Sequence, residues 1–192
     1  MKIADSALDL IGNTPLVRLG RIAQRHGIEP VLAKLEKCNP AGSAKDRVAR
    51  SMVRDAEEKG LLRPGATIVE PTSGNTGVGL AMVAALRGYS LVLTMPASMS
   101  VERQKLLKAL GARIELTPAQ AGMGGAVARA EEILRETPEA FMPSQFDNPA
   151  NPAAHAQTAR EILRDTDGQV DVFVATVGTG GTVSGTGRAL KA

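Results

Sequence analysis

Residues 67–77 read Thr-Ile-Val-Glu-Pro-Thr-Ser-Gly-Asn-Thr-Gly, an apolar run that passes through a polar turn into a helix-like sequence. The pattern predicts a strand over 67–70 and a helix over 75–87. In a parallel sheet the turn between them lies at the carboxyl end of a strand, where ligands bind. Its glycines, helix-start amides and the hydroxyls of Thr72 and Ser73 suit a small anion such as a carboxylate. A helix cap that binds nothing uses the same residue types and is the alternative.

The rest of the chain repeats this order of strand, turn and helix, which is typical of βαβ units. The predicted strands cover 16–19, 30–35, 90–94, 113–116, 140–142 and 171–177, and the helices cover 46–59, 101–110, 124–136 and 152–165, with Ser100 and Asn151 as N-caps and Pro152 at the first helical position. The sequence therefore predicts an α/β fold in which right-handed crossovers join parallel strands flanked by helices. The run Asn-Pro-Ala-Asn-Pro at 148–152 is the best candidate for a boundary between two lobes.

A turn-rich loop, Asn-Pro-Ala-Gly-Ser-Ala-Lys-Asp-Arg at 39–47, delivers Lys45 to the start of the helix predicted at 46–59. The helix dipole disfavours a cation at that end. Burial there would lower the pKa of the lysine and favour its neutral, nucleophilic form. Because most lysines are exposed, a solvated side chain is the alternative.

A second glycine-rich turn, Gly-Thr-Gly-Gly-Thr at 178–182, follows the apolar run 171–177 and opens the last predicted helix. A glycine turn that leads into a helix start is a phosphate-binding arrangement. The dinucleotide fingerprint fails because Val183 stands where the third glycine is required, and the phosphate-loop motif of nucleoside triphosphatases does not occur. The turn therefore favours a phosphate monoester, and a tight turn without a ligand is the alternative.

The composition narrows the function classes. Of 192 residues, 43% are hydrophobic and 22% are charged, with a formal net charge of +3. Aromatic residues make up 2%, which argues against base stacking and single-stranded nucleic-acid binding. The 2 histidines and the lone Cys38 show no metal-ligand spacing, and a single cysteine fits a reducing cytoplasm. No apolar run reaches the length of a membrane span, and the N-terminus has no signal-peptide core.

The lysine loop, the carboxylate-type turn and the phosphate-type turn together suggest a cofactor that carries both an aldehyde and a phosphate. Pyridoxal 5'-phosphate forms a Schiff base with a lysine, while the protein supplies orientation and electrostatics. The turn at 72–77 would then bind the carboxylate of an amino-acid substrate.

The chain resembles the cysteine synthases (O-acetylserine sulfhydrylases) of the fold-type II pyridoxal-phosphate enzymes. The matching motifs run in the family's order through nearly the whole chain, at 11–17, 39–47, 71–77, 95–96, 99–103, 111–112, 116–118, 122–126, 145–155 and 178–182. Ala44 stands where the family has valine. Residues 122–126 favour cysteine synthase over its relative cystathionine β-synthase.

The resemblance implies a role for each motif. Lys45 is implied to form the Schiff base and to act as general base, and Asn75 to contact the ring oxygen of the cofactor. The residues implied to bind the substrate carboxylate are Thr72, Ser73, Gly74, Asn75, Thr76 and Gln145, and those implied to bind the phosphate are Gly178, Thr179, Gly180, Gly181 and Thr182.

The implied reaction is a β-replacement in which sulfide displaces acetate from O-acetyl-L-serine to give L-cysteine. The resemblance implies small-molecule substrates, a homodimer and serine acetyltransferase as a possible further partner. The composition and the lack of a long apolar run predict neither nucleic acid nor membrane as a ligand. A cystathionine β-synthase-like enzyme is one alternative. A non-catalytic fragment that serves as a binding module is the other.

The resemblance also implies a two-lobed, tryptophan synthase β-like fold, with a smaller lobe at 38–147 and a larger lobe formed by 1–37 and 148–192. Family members continue through further strands and helices of the larger lobe, which carry the residue that contacts the pyridine nitrogen. We therefore expect an incomplete larger lobe, an exposed apolar edge at 171–177, and weak or absent cysteine synthase activity for the 192-residue chain alone.

Overall fold

The computed structural model describes residues 3–192, which fold around a parallel three-stranded sheet. The strands are β1 (Leu16–Arg18), β2 (Leu32–Lys34), β3 (Thr67–Pro71), β4 (Ser90–Pro96) and β5 (Arg113–Thr117). The helices are α1 (Gly20–His26), α2 (Lys45–Glu58), α3 (Asn75–Arg87), α4 (Val101–Ala109), α5 (Gly122–Glu136), α6 (Ala150–Asp165) and α7 (Gly181–Leu190). The predicted α/β alternation is confirmed, apart from the two strand predictions corrected below.

The main sheet has the order β3-β4-β5 and buries both of its faces. Side chains alternate between the faces along each strand, so Ile68 and Val69 point in opposite directions. Ile68 belongs to the larger apolar cluster, which α2 and α3 supply with residues such as Leu80. Val69 belongs to a smaller cluster that includes Ile133 of α5. The sheet is therefore covered on both sides by helices, as parallel sheets normally are.

Gly79 lets α2 and α3 approach each other closely. A Cβ atom at this position would lie 2.9 Å from the carbonyl oxygen of Lys45 and 3.1 Å from the Cβ of Ala49. Any side chain here would collide with the backbone of α2, which explains the glycine. This contact brings the start of α2 alongside the beginning of α3.

The first two strands depart from the all-parallel expectation. β1 and β2 form a separate antiparallel pair, in which Leu16 lies opposite Lys34 and Arg18 opposite Leu32. The short α1 and its flanking loops connect them, and α1 ends at Gly27 in the left-handed conformation.

The predicted strand at 140–142 is wrong as a strand. Only Phe141 pairs with the sheet, as an isolated parallel bridge to Ile68. Its carbonyl accepts from the Val69 amide and its own amide donates to the Thr67 carbonyl. The pairing cannot continue, because Pro143 has no N–H to donate to a ladder.

The predicted strand at 171–177 is also wrong. The segment forms no regular secondary structure, and within residues 3–192 no strand lies beside it to complete a ladder. Its apolar side chains are exposed, with Val172 at 77%, Val174 at 85% and Val177 at 73%. Apolar β-branched sequence favours extended backbone, but a strand also requires a hydrogen-bonding neighbour. The exposed apolar edge expected from the sequence is confirmed.

Asn151 does not cap α6 as predicted. The helix begins at Ala150, so Asn151 and Pro152 lie inside its first turn. The side-chain oxygen of Asn148 accepts from the Ala150 amide at 2.9 Å and takes the capping role. Pro152 remains compatible with the first turn, because its missing N–H would have no acceptor within the helix.

The division into lobes stays a prediction. All three strands of the main sheet lie within 67–117, inside the smaller lobe predicted at 38–147. Across residues 3–192, no helix combines the length and apolarity needed to cross a bilayer.

Candidate functional site

Lys45 is the first residue of α2, as the sequence predicted. The preceding loop winds around the neighbouring Asp46. The carboxylate of Asp46 accepts from the Ala41 amide at 2.6 Å and from the Ser43 hydroxyl at 3.4 Å. The Ser43 hydroxyl in turn accepts from the Lys45 amide at 3.1 Å. These local bonds fix the position at which the lysine side chain leaves the backbone.

Burial favours the neutral form of the Lys45 amine. The residue is half-buried, and burial lowers the pKa of its ammonium group because the charged form loses hydration. Among residues 3–192, no carboxylate lies within salt-bridge distance of its Nζ atom to restore the charge. A larger share of neutral amine follows, and the neutral amine is the nucleophilic and basic form.

Lys45 shares a cavity of about 490 Å³ with the glycine-rich turn at 178–182. The two segments lie more than a hundred positions apart in the sequence, and the fold places both of them in the lining of this cavity. Other residues that line the cavity are Glu36, Thr158, Ile162 and Phe173. The lysine loop and the phosphate-type turn therefore converge.

The turn at 178–182 has the form of an anion cradle. Gly180 adopts a left-handed conformation (φ 79°) and α7 begins at the next residue, Gly181. Left-handed backbone favours glycine, and the amides of a first helical turn have no intrahelical acceptors. A phosphate at this helix start would meet those amides and the positive end of the dipole.

The packing of α7 against α6 holds this cradle in place. A Cβ atom at Gly185 would lie 2.0 Å from the carbonyl oxygen of Pro152, so the two helices cross with almost no space between their backbones. His155 of α6 contacts the Thr182 hydroxyl through Nε2 at 3.2 Å and the Thr158 hydroxyl through Nδ1 at 3.2 Å. Burial lowers the pKa of His155 to about 4, so its ring is neutral at pH 7.

The turn at 72–77 and Gln145 form a second polar site. The Thr76 hydroxyl donates to Gln145 Oε1 at 2.5 Å, and the Gly74 amide donates to the Thr72 hydroxyl at 3.2 Å. The structure thus brings together two predicted carboxylate-binding residues that are 69 positions apart. Asn75 is exposed at the start of α3. None of residues 72–76 lines the cavity around Lys45.

Sequence reasoning missed Glu70, which holds the loop that carries Gln145. Its buried carboxylate accepts from the Ser144 amide at 2.9 Å and from the Gln145 amide at 3.2 Å. Burial raises the pKa of Glu70 to about 7, although the two amide bonds favour the charged form. A carboxylate at the end of a short apolar strand run, just before the turn at 72–77, was the signal that could have identified it.

Sequence reasoning also missed the role of Asn151. Its Nδ2 group donates to the Gln145 carbonyl at 2.7 Å and to the Thr179 hydroxyl at 2.9 Å. The residue is buried, and its Oδ1 atom has no hydrogen-bond partner among residues 3–192. Asn151 therefore joins the loop of Gln145 to the phosphate-type turn.

A buried ion-pair cluster lies behind Lys45 and was likewise not predicted. The Arg47 guanidinium binds Glu36 at 2.7 and 2.8 Å and Glu161 at 2.8 and 2.7 Å, and it also donates to Thr14. Lys34 lies 2.9 Å from Glu161. Burial alone would raise the pKa of Glu161, but the bonds from Arg47 and Lys34 outweigh it and lower the pKa to about 2.

Residues 7–192 match the family model described as pyridoxal-phosphate dependent enzyme. Cysteine synthase A of Escherichia coli (strain K12) is 57% identical over 183 residues, which cover 94% of this chain and 55% of that protein. Cystathionine beta-synthase of Apis mellifera is 50% identical over 195 residues, which cover 99% of this chain and 39% of that protein.

A solved cysteine synthase from Entamoeba histolytica has the same fold. Its TM-score is 0.95 at 45% identity, and the alignment covers 99% of this chain and 57% of that structure. The chain thus spans little more than half the length of the cysteine synthases that it matches.

Proposed function

This chain belongs to the pyridoxal-phosphate dependent enzymes, and on that premise we propose that its cavity binds pyridoxal 5'-phosphate through Lys45. We further propose that this is the site of a cysteine synthase, in which sulfide replaces the acetate of O-acetyl-L-serine to give L-cysteine, with weak or no turnover by the 192-residue chain alone. The observation that carries the proposal is the meeting of Lys45 and the turn at 178–182 in one cavity.

The residues of the cavity fit this cofactor. A desolvated lysine amine without a carboxylate partner suits an aldehyde. The start of α7, with Gly180 in a left-handed conformation, offers the backbone donors that a phosphate monoester requires. We assign the phosphate to Gly178, Thr179, Gly180, Gly181 and Thr182.

When bound, the cofactor supplies an aldehyde that bonds to a lysine and a ring that stabilises negative charge at the substrate's α carbon. The Nζ atom of Lys45 would hold the cofactor, and its free amine would serve as the general base for the proton on the substrate's α carbon. Its lowered pKa supports both tasks, because each requires the neutral amine. The amides and hydroxyls at 178–182 orient the phosphate throughout.

The substrate's carboxylate is assigned to the second polar site. Backbone amides at the start of α3, the Ser73 hydroxyl and the side-chain amides of Asn75 and Gln145 are donors for an anion, while the hydroxyls of Thr72 and Thr76 bond to Gly74 and Gln145 within the same site. The bond between Thr76 and Gln145 and the proximity of α2 to α3 at Gly79 support this assignment. Asn75 is assigned a second contact, to the ring oxygen of the cofactor.

The proposal is tested by adding pyridoxal 5'-phosphate to the purified chain. We expect a visible absorbance band from the lysine-bound cofactor, which O-acetyl-L-serine should change. The band should be lost in Lys45→Ala and kept in Lys105→Ala, because Lys105 is an exposed lysine on α4. A wild-type chain without the band, or a Lys45→Ala variant with it, would contradict the proposal.

Cystathionine β-synthase activity is the second candidate, favoured by the 50% identity to the protein from Apis mellifera. Sulfide and homocysteine, each supplied with the serine-derived substrate, separate the two activities by product.

We also propose a cytoplasmic homodimer that binds serine acetyltransferase. Sedimentation of the chain with and without that protein tests the assembly.

A further inference from the structure

Asn151 connects the two polar sites through a single amino group. Its Nδ2 atom donates to the Gln145 carbonyl at 2.7 Å and to the Thr179 hydroxyl at 2.9 Å. A carbonyl oxygen can only accept hydrogen bonds, so the amino group of Asn151, and not its oxygen, must face Gln145. The Gln145 carbonyl thereby fixes which end of the amide reaches Thr179.

The lone pairs and the hydrogen of the Thr179 hydroxyl can be counted against the donors around it, and the count shows which hydrogen bond the hydroxyl can still make. A hydroxyl has two lone pairs and one hydrogen. Its Oγ1 atom accepts from Asn151 and, at 3.4 Å, from the Gly181 amide. Both lone pairs are directed at donors, so the hydroxyl hydrogen must point to an acceptor elsewhere. Thr179 lines the cavity that contains Lys45, where an anion would supply that acceptor.

We propose that Asn151 is a positioning residue, which orients the Thr179 hydroxyl so that its hydrogen is donated into the cavity to the phosphate group of the ligand. The proposal rests on the function proposed above. The surroundings keep Asn151 in place, because it is 2% exposed and a Cβ at Gly181 would lie 2.0 Å from its Oδ1 atom.

The test is Asn151→Asp, which reverses the hydrogen-bonding sense at nearly constant shape. A carboxylate only accepts, so Thr179 would have to turn its hydrogen away from the cavity and towards residue 151. We expect the dissociation constants of inorganic phosphate and pyridoxal 5'-phosphate to rise at least about tenfold, as for a lost bond to a charged group. Binding of pyridoxal, which has no phosphate, should be unchanged. Calorimetry and visible absorbance measure these constants.

Asn148→Asp is the matched control. It makes the same change three positions earlier, keeps an acceptor for the Ala150 amide and loses a donor to the Pro143 carbonyl, so it matches the added charge and a lost amide bond without touching Thr179. Phosphate affinity should stay close to that of the wild type. If Asn151→Asp does not fold, as judged by thermal unfolding, Asn151→Ala serves instead. It removes one donor to Thr179 without adding charge, and it should weaken phosphate binding while sparing pyridoxal.

A double-mutant cycle separates orientation of the hydroxyl from simple charge repulsion. In a Thr179→Ala background no hydroxyl remains to be turned, so Asn151→Asp should cost about twofold or less in phosphate affinity. Equal losses in both backgrounds would overturn the proposal, as would equal losses for pyridoxal and its phosphate. If the wild type binds pyridoxal 5'-phosphate and Asn151→Asp binds it equally well, only this inference fails. If the wild type binds neither phosphate nor cofactor, the proposed function fails with it.

Discussion

Residues 67–77 and residues 171–182 share a sequence pattern but have different structures. Each begins with an apolar run, continues through a glycine-rich turn and ends in a helix start. The first run becomes the buried strand β3, paired with β4, whereas the second forms no strand and its valines are exposed. Both turns nevertheless open their helices at the expected place. Helix starts are therefore decided locally, while strands are decided by what lies beside them.

The same substitution in the two runs gives the largest expected contrast. Val69→Ala removes buried methyl groups between the sheet and α5, and it should lower the free energy of unfolding by about 2–3 kcal/mol. Val174→Ala removes the same atoms from an exposed side chain and should change it by less than about 0.5 kcal/mol. Urea denaturation followed by circular dichroism measures both values. Similar losses at the two positions would mean that the second run is paired after all.

A helix contact, not a strand, supports the second turn, and Gly185→Ala should break that support. The added Cβ would meet the Pro152 carbonyl, so we expect a cost of about 1–3 kcal/mol and weaker phosphate binding. Gly187→Ala is the matched control, since its Cβ would meet nothing within 4 Å and alanine favours a helix. Hydrogen exchange in α7 and phosphate titration report the result. Equal behaviour of the two variants would show that α7 does not depend on α6.

Glu70 lies at the end of β3, just before the first turn, and should make the stability of the protein depend on pH. Its pKa in the folded state, about 7, is above the ordinary value of 4.5, so the folded state binds more protons between these values. The stability from Glu70 is therefore fully present below about pH 4.5 and is lost as the pH rises to 7, by about 1–2 kcal/mol between pH 5 and 7.

Comparison with Glu70→Gln isolates this contribution. His155, whose pKa is lowered to about 4, changes stability in the opposite direction over the same range, and the comparison cancels it. Relative to the wild type, Glu70→Gln should remove the loss of stability above pH 5. Parallel profiles for wild type and Glu70→Gln would contradict the prediction.

What the sequence could predict follows from the same contrast. The positions of Lys45 and of the turn at 178–182 depend on nearby glycines, prolines and helix starts, so local patterns found them. The strand at 171–177 was predicted from apolar β-branched residues alone, and no pattern within the run reveals whether a neighbour exists. The pattern predicts a cap at Asn151 because asparagine before an apolar helix usually is one.

Glu70 and Asn151 act through partners about 75 and 28 positions away, which local patterns do not reveal. Both are polar residues whose hydrogen bonds become important for the structure only because folding buries them away from water. The same is true of Arg47, which looked like one more charge at the start of a helix.

The Arg47 cluster has a mechanical consequence for the lysine two residues before it. A planar guanidinium gripped by carboxylates on two sides resists both sliding of α2 along its axis and rotation about it. The Cα atom of Lys45 is thereby a fixed pivot. We expect the Lys45 Nζ atom to move between cofactor and substrate only by rotation about the bonds of its four-carbon side chain, while α2 stays in place.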